Sequence, residues 1–283
     1  MFARLIFGLS LSGAALCAQH TNLRYAAFKD TVLDLETPAG NGPFRLIAAV
    51  HGGGWSGGGR ADARRFCRVM VESGFACAAL DYRLAPETPF PGQIEDLKNA
   101  IVWLLSHARG FQLETDGVIL AGESAGGHLV TYLGAQHPAG LPILGVVAFS
   151  PPTDLVALGE PGRALGLTPP EVRALTGAAG WNDEDIERMR RASPLFALHS
   201  GAPAFLIFHG DADQLVPVEQ SRAFCEAART VGGACDLALI AGARHGLWNE
   251  EQFDLWVNVW KPTFLAWMNL HAGKSRSQPT VRG

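Results

Sequence analysis

The chain has 283 residues, 48% of them apolar, and a formal net charge of -4. This length and apolar content suffice for one large buried core, so a single folded domain is expected. The weak negative charge gives no extended positive field, and a nucleic-acid partner is not expected.

Residues Met1 to Ala18 carry one cation, Arg4, then the apolar stretch Leu5 to Leu16 and small residues up to Ala18. This is the pattern of a secretory signal peptide, cleaved after Cys17 or Ala18, and it predicts a secreted or periplasmic protein. The stretch is too short for a membrane span, which needs about 20 residues. The folded domain is expected over residues 19–272, followed by a polar tail, residues 273–283, with no apolar period and an expectation of disorder.

Along the domain, apolar runs predict strands at Phe44–Val50, Phe75–Leu80, Val118–Ala121, Gly145–Phe149, Ala204–Phe208 and Asp236–Ile240. Helices are predicted over Ala61–Ser73, Pro91–Ala108, from Ser124 onward, Val218–Val231 and Gln252–Leu270. In Pro91–Ala108, Ile94, Leu97, Ile101, Leu104 and Leu105 recur on one helical face. Strands alternating with helices imply a mostly parallel sheet covered on both faces. The alternation lapses between Asp154 and Ala202, where Asp183–Arg191 is helical; this segment is either a roof over a site or a surface excursion.

Gly122-Glu123-Ser124-Ala125-Gly126 sits between the run Val118–Ala121 and the helical Gly127-His128-Leu129-Val130. A serine on so abrupt a strand-to-helix turn has its hydroxyl exposed above the sheet, the arrangement called a nucleophile elbow. Such a serine needs a base, an acid that orients the base, and donors for an oxyanion. His245, in the glycine-flanked loop after Asp236–Ile240, is the expected base. His128, one helical turn past Ser124, is expected to pack inward, and His209 to pin the loop it opens. In His209-Gly210-Asp211-Ala212-Asp213 both aspartates are candidate acids, and Asp154 is a third that reads better as a helix cap. The donors are expected from His51-Gly52-Gly53-Gly54-Trp55 and the amide of Ala125, since consecutive glycines let N–H groups converge with no side chain in the way. Trp55 is expected to contact substrate. No Gly-Lys-Ser or Gly-Lys-Thr follows the glycines, which speaks against a phosphate loop. No metal or cofactor is expected.

Cys67 and Cys77 repeat the spacing of Cys225 and Cys235, each pair in a helix that turns through a glycine into a strand. A helix advances about 1.5 Å and a strand about 3.3 Å per residue, which brings each pair to a similar level. Disulfides Cys67–Cys77 and Cys225–Cys235 are predicted, against the alternative of buried thiols acting as small apolar side chains.

Taken together, His51-Gly-Gly-Gly-Trp55, Asp81-Tyr-Arg-Leu-Ala-Pro-Glu87 and Gly122-Glu-Ser-Ala-Gly-Gly-His128 resemble the hormone-sensitive-lipase-type bacterial carboxylesterases of the α/β-hydrolase superfamily. The resemblance runs from about Phe44 to Trp267. It implies Gly53, Gly54 and Ala125 as oxyanion donors, and Asp81 and Arg83 as braces of the loop after the second predicted strand, Phe75–Leu80. It selects Asp213 over Asp211, because His-Gly-x-x-Asp followed by Val-Pro is similar to the acid loop of many α/β-hydrolases, giving the triad Ser124, Asp213, His245. Asp211 then reads as a turn residue bonding its own backbone. Few residues precede the glycine loop, so little or no N-terminal helical cap is expected. With Phe90-Pro91-Gly-Gln-Ile-Glu-Asp96 and Ser193-Pro-Leu195, this shifts the resemblance toward exported feruloyl and acetylxylan esterases. The expectation is a metal-free serine carboxylesterase acting on short acyl or aryl esters, free or carried on polysaccharide. A prolyl-oligopeptidase-like peptidase, an arylformamidase-like amidase and a binding module that has lost catalysis are the alternatives.

Overall fold

A computed structural model of the chain describes residues 17–271. The expected signal segment, apart from Cys17 and Ala18, and the expected tail lie outside the described residues. Eight strands, β1 (Ala18–Arg24), β2 (Val32–Thr37), β3 (Phe44–Val50), β4 (Ala76–Leu80), β5 (Leu113–Glu123), β6 (Ile143–Phe149), β7 (Ala204–Gly210) and β8 (Cys235–Ile240), form one sheet in the order β1-β2-β4-β3-β5-β6-β7-β8. From β4 to β8 every pairing is parallel, while β1 and β2 add an antiparallel edge.

Side chains on a strand alternate between its faces, and the two faces of β3 accordingly feed two cores. Leu46, Ala48 and Val50 pack with Leu97 and Ile101 of α2 (Gly92–Ser106), Leu129 and Leu133 of α3 (Ala125–Gln136), and Phe224 of α8 (Glu219–Thr230). Ile47 and Ala49 pack with Phe66 and Met70 of α1 (Arg64–Glu72) and with Trp260 and Phe264 of α9 (Glu250–His271). Both faces of the parallel strands are thus dry, which is why these strands read as unbroken apolar runs. Among the described residues no helix is long and apolar enough to cross a membrane.

No apolar run in the sequence predicts β1 or β2. β1 is polar, largely exposed and broken by a register shift between His20 and Leu23. β2 is buried but carries Asp34, whose carboxylate accepts from Asn22 N–H at 2.9 Å and pairs with Arg60 and Arg64 at 3.0 and 3.1 Å. Charge satisfied by partners distant in sequence hides a strand from periodicity. Among the described residues, no helix precedes the glycine loop.

The segment between Asp154 and Ala202 folds into α4 (Leu155–Arg163), α5 (Pro170–Thr176), α6 (Asp183–Arg191) and α7 (Pro194–Ala197). The Asp154 carboxylate caps α4, accepting from Val156 and Ala157 N–H. Leu155, Val172, Leu175 and Met189 join the same core as α2 and α3.

Each disulfide staples a helix to the strand that follows it: Cys67 on α1 to Cys77 on β4, and Cys225 on α8 to Cys235 on β8, with Cα separations of 5.2 and 5.1 Å. Closing a loop this short removes unfolded-state entropy amounting to about 2 to 3 kcal/mol per bridge. Titration of the unfolded, unreduced protein is expected to find no free thiol at these four positions, and reduction is expected to lower the melting temperature by several degrees; four titratable thiols among them would contradict the pairing.

Candidate active site

Four loops at the carboxyl ends of parallel strands meet above the sheet, the edge where sites assemble in open α/β folds. They follow β3 (His51–Trp55), β5 (Ser124), β7 (Asp211–Val216) and β8 (Gly242–Asn249). Ser124 has φ 53° and ψ -119°, a conformation that L residues adopt at a cost of about 1 to 3 kcal/mol. Surrounding contacts impose it. Ser124 N–H donates to Phe149 O at 2.8 Å, and His128 N–H donates to Ser124 O at 2.8 Å, so the residue is gripped between β6 and the first turn of α3. A Cβ on Gly126 would collide with the carbonyl oxygens of Val50 and His51, which is why glycine stands there.

Ser124 Oγ lies 2.8 Å from His245 Nε2, and His245 Nδ1 lies 2.7 Å from Asp213 Oδ2. An ionised carboxylate can only accept, so Nδ1 carries the proton and Nε2 is free to accept from the serine hydroxyl. The Asp213 side chain has no exposed surface. Burial pushes its carboxyl up, but hydrogen bonds from His209 and His245 outweigh that and hold it well below the usual carboxylate range. Its Oδ1 accepts from Leu215 and Val216 N–H at 3.0 and 2.9 Å. His209 is buried, bonded to Ser221 Oγ at 2.6 Å and Val216 O at 2.9 Å, and holds the acid loop closed from beneath.

Gly53 and Gly54 line a cavity of about 510 Å³ together with Ser124, Glu123, His245 and Trp248. Both have positive φ, 105° and 57°, and Ala125 opens α3 directly after the serine. In the loop after β4, Asp81 Oδ1 accepts from Arg60 N–H at 2.6 Å, and Arg83 pairs with buried Asp96 at 2.8 Å, the bracing that the resemblance implied. No residue of α4 to α7 lines this cavity among the described residues. The segment packs against the glycine loop as a buttress: a Cβ on Gly54 would meet Glu171 Cγ of α5 at 3.0 Å.

Two expectations are corrected. Trp55 is 3% exposed and does not line the cavity, so it is no substrate contact; its left-handed backbone, φ 60°, turns the indole inward to donate to His128 Nδ1 at 3.0 Å. Asp211, read as bonding its own turn, instead accepts from Gly242 N–H at 2.7 Å and ties the acid loop to the base loop.

Two further residues hold the base loop and were missed. Gln252, at the start of α9, donates to His245 O and accepts from Arg244 N–H. Glu123, beside Ser124, accepts from Trp248 N–H at 2.6 Å and is 5% exposed. Burial, with the negative charges of Asp213 and Asp62 adding to it against the opposing Trp248 bond, pushes its carboxyl up to about 8. A charged residue flanked by the apolar run Val118–Ala121 was the available signal.

A carboxyl raised in the folded state keeps its proton while the unfolded chain ionises, so its contribution is full below pH 4.5 and is lost as pH rises toward 8. The loss approaches about 1.4 kcal/mol for each pH unit over which the two states differ by one proton. Glu123→Gln keeps an acceptor for Trp248 and removes the titration. Urea unfolding at pH 5, 6.5 and 8 is expected to show the variant gaining stability relative to the parent as pH rises; parallel pH dependences would refute the buried neutral carboxyl.

Residues 33–227 match the BD-FAE family. Esterase LipC of Mycobacterium tuberculosis is 32% identical over 217 residues, covering 72% of this chain and 53% of LipC. The chain spans about half the length of the curated relatives it matches. A thermophilic esterase from Thermogutta terrifontis superposes with a TM-score of 0.71 at 25% identity, covering 93% of this chain and 95% of that one. A truncated carbohydrate esterase from gut microbiota superposes with a TM-score of 0.72 at 21% identity, covering 89% and 98%, and shares the fold. With its mostly parallel eight-stranded sheet, helices on both faces and the elbow after β5, the chain has the α/β-hydrolase fold and belongs to the BD-FAE family.

Proposed function

We propose that the chain is a serine carboxylesterase that hydrolyses short acyl or aryl esters through an acyl-enzyme. The observation that carries this reading is the hydrogen-bonded series from Asp213 through His245 to Ser124, at 2.7 and 2.8 Å. Ser124 Oγ attacks the ester carbonyl while His245 Nε2 takes its proton. Asp213 keeps the imidazole in the accepting tautomer and stabilises the cation that forms. The amides of Gly53, Gly54 and Ala125 stabilise the developing oxyanion, each such donor contributing about 2.7 to 4 kcal/mol. His245 then returns the proton to the departing alcohol, and water, activated by the same imidazole, releases the acid.

The cavity at Ser124 adjoins a second of about 800 Å³, and His245, Leu215, Asn249 and Glu250 line both. The two lobes are open and bear Asp62, Arg65, Asn249 and Glu250, a lining suited to a hydroxyl-rich alcohol portion. This supports an acyl group carried on polysaccharide, acetylated or feruloylated xylan, as the substrate; the fold shared with a carbohydrate esterase is consistent with it. We propose further that the protein works outside the cytoplasm, since disulfides such as Cys67–Cys77 and Cys225–Cys235 persist in oxidising compartments.

Turnover of 4-nitrophenyl acetate is expected to fall about 10⁶-fold in Ser124→Ala and about 10⁴-fold in Asp213→Asn. Asp211→Asn is expected to stay near the parent rate, and loss there with retention in Asp213→Asn would overturn the acid assignment. Release of acetate from acetylated xylan or ferulate from feruloylated xylan, against a panel of free esters, tests the polymer reading. Turnover confined to small free esters would defeat it.

A further inference from the structure

The oxyanion loop has a mechanical problem. Gly53 and Gly54 carry no side chains, so bonds to the carbonyls before their amides set where those amides point: Gly52 O lies 2.7 Å from His51 Nδ1, and Gly53 O accepts from Ser56 and Gly57 N–H at 3.2 and 2.9 Å. These bonds lie within the loop and do not relate it to the helix that carries Ser124. Donors must nevertheless stand about 2.7 to 3.1 Å from the position the oxyanion will occupy. The side chain that ties this turn to α3 is Trp55, which is buried and left-handed at φ 60°. Its carbonyl accepts from Ala85 N–H at 2.9 Å, and its indole Nε1 donates to His128 Nδ1 at 3.0 Å.

His128 is wholly buried, one turn along α3 from Ser124, and its Nε2 lies 2.7 Å from Ala192 O at the end of α6. An indole N–H can only donate and a carbonyl can only accept. The imidazole therefore holds its proton on Nε2, donates to Ala192, and accepts from Trp55; both nitrogens are committed and the ring is neutral. Burial, which pulls this imidazole down to about 4, agrees with that state. The helix that bears His128 also bears Ala125 at its first position and is preceded directly by Ser124.

We propose that His128 is a positioning residue: by accepting from Trp55 it references the Gly53–Gly54 amides to the same helix that carries the nucleophile and the third donor, and through Ala192 it seats that assembly on the α4–α7 buttress. The inference rests on the serine esterase reading above. It assigns to the buttress a task in catalysis that requires no contact with substrate.

The test uses the full chain with kcat normalised to active sites by stoichiometric phosphonylation. Trp55→Phe removes only the donor and keeps an aromatic ring, His128→Leu removes both ring bonds, and His128→Asn leaves an acceptor near the Nδ1 position. Trp55→Phe and His128→Leu are expected to lower kcat for 4-nitrophenyl acetate by about 10- to 100-fold, the scale of an ångström-sized misplacement, with KM within about threefold. Binding of an aryl boronic acid, whose tetrahedral adduct fills the oxyanion site, should weaken in parallel. His128→Asn should recover most of kcat when Trp55 is present and none of it in a Trp55→Phe background. An unchanged kcat in folded Trp55→Phe and His128→Leu, or losses confined to KM, would overturn the inference while leaving the esterase reading intact. A parent chain without Ser124-dependent turnover would overturn both.

Discussion

Everything at the candidate site depends on the strained backbone of Ser124. A residue at φ 53° and ψ -119° is not stable by itself, and it persists because β5, β6 and α3 together leave the chain no alternative. The parallel register brings Phe149 O to the Ser124 amide, α3 begins at once, and Gly126 lets the helix start press against the carbonyl ends of β3. The sheet is thus the source of the strain and also the clamp that maintains it. The hydroxyl is presented above the strand ends because the turn is too tight to present it anywhere else.

The partners reach that hydroxyl through the same architecture. Parallel strands all end on one edge, so loops distant in sequence by 32 or 121 residues come within hydrogen-bond reach there. Each loop is then held from behind rather than by the reacting groups: His209 beneath the acid, Gln252 and Glu123 behind the base, Trp55 and His128 behind the glycines. Loops with many glycines become well placed only when such supports are buried. Here those supports are buried polar side chains, at most 6% exposed, held by hydrogen bonds.

Much of this was legible in the chain itself. The central strands, buried on both faces, read as apolar runs, and the elbow, the acid loop and the late histidine stood at the ends of those runs. Where the reading stopped, pairing across the fold was the reason. β1 and β2 depend on hydrogen bonding to each other and on Asp34 meeting Arg60 and Arg64. Trp55 looked like a substrate contact because its position beside the glycines is visible in sequence while its left-handed turn is not. Glu123 is visible as a charge, but only its contact with Trp248 gives it a place.

On the proposed reading, Ser124, made nucleophilic by His245, forms a covalent intermediate. Mass spectrometry of the protein after reaction with a fluorophosphonate tests it most directly. A single adduct is expected on the peptide containing Ser124, formed slowly or not at all in His245→Ala. An adduct on another residue, or an unmodified Ser124 in the folded parent chain, would contradict it.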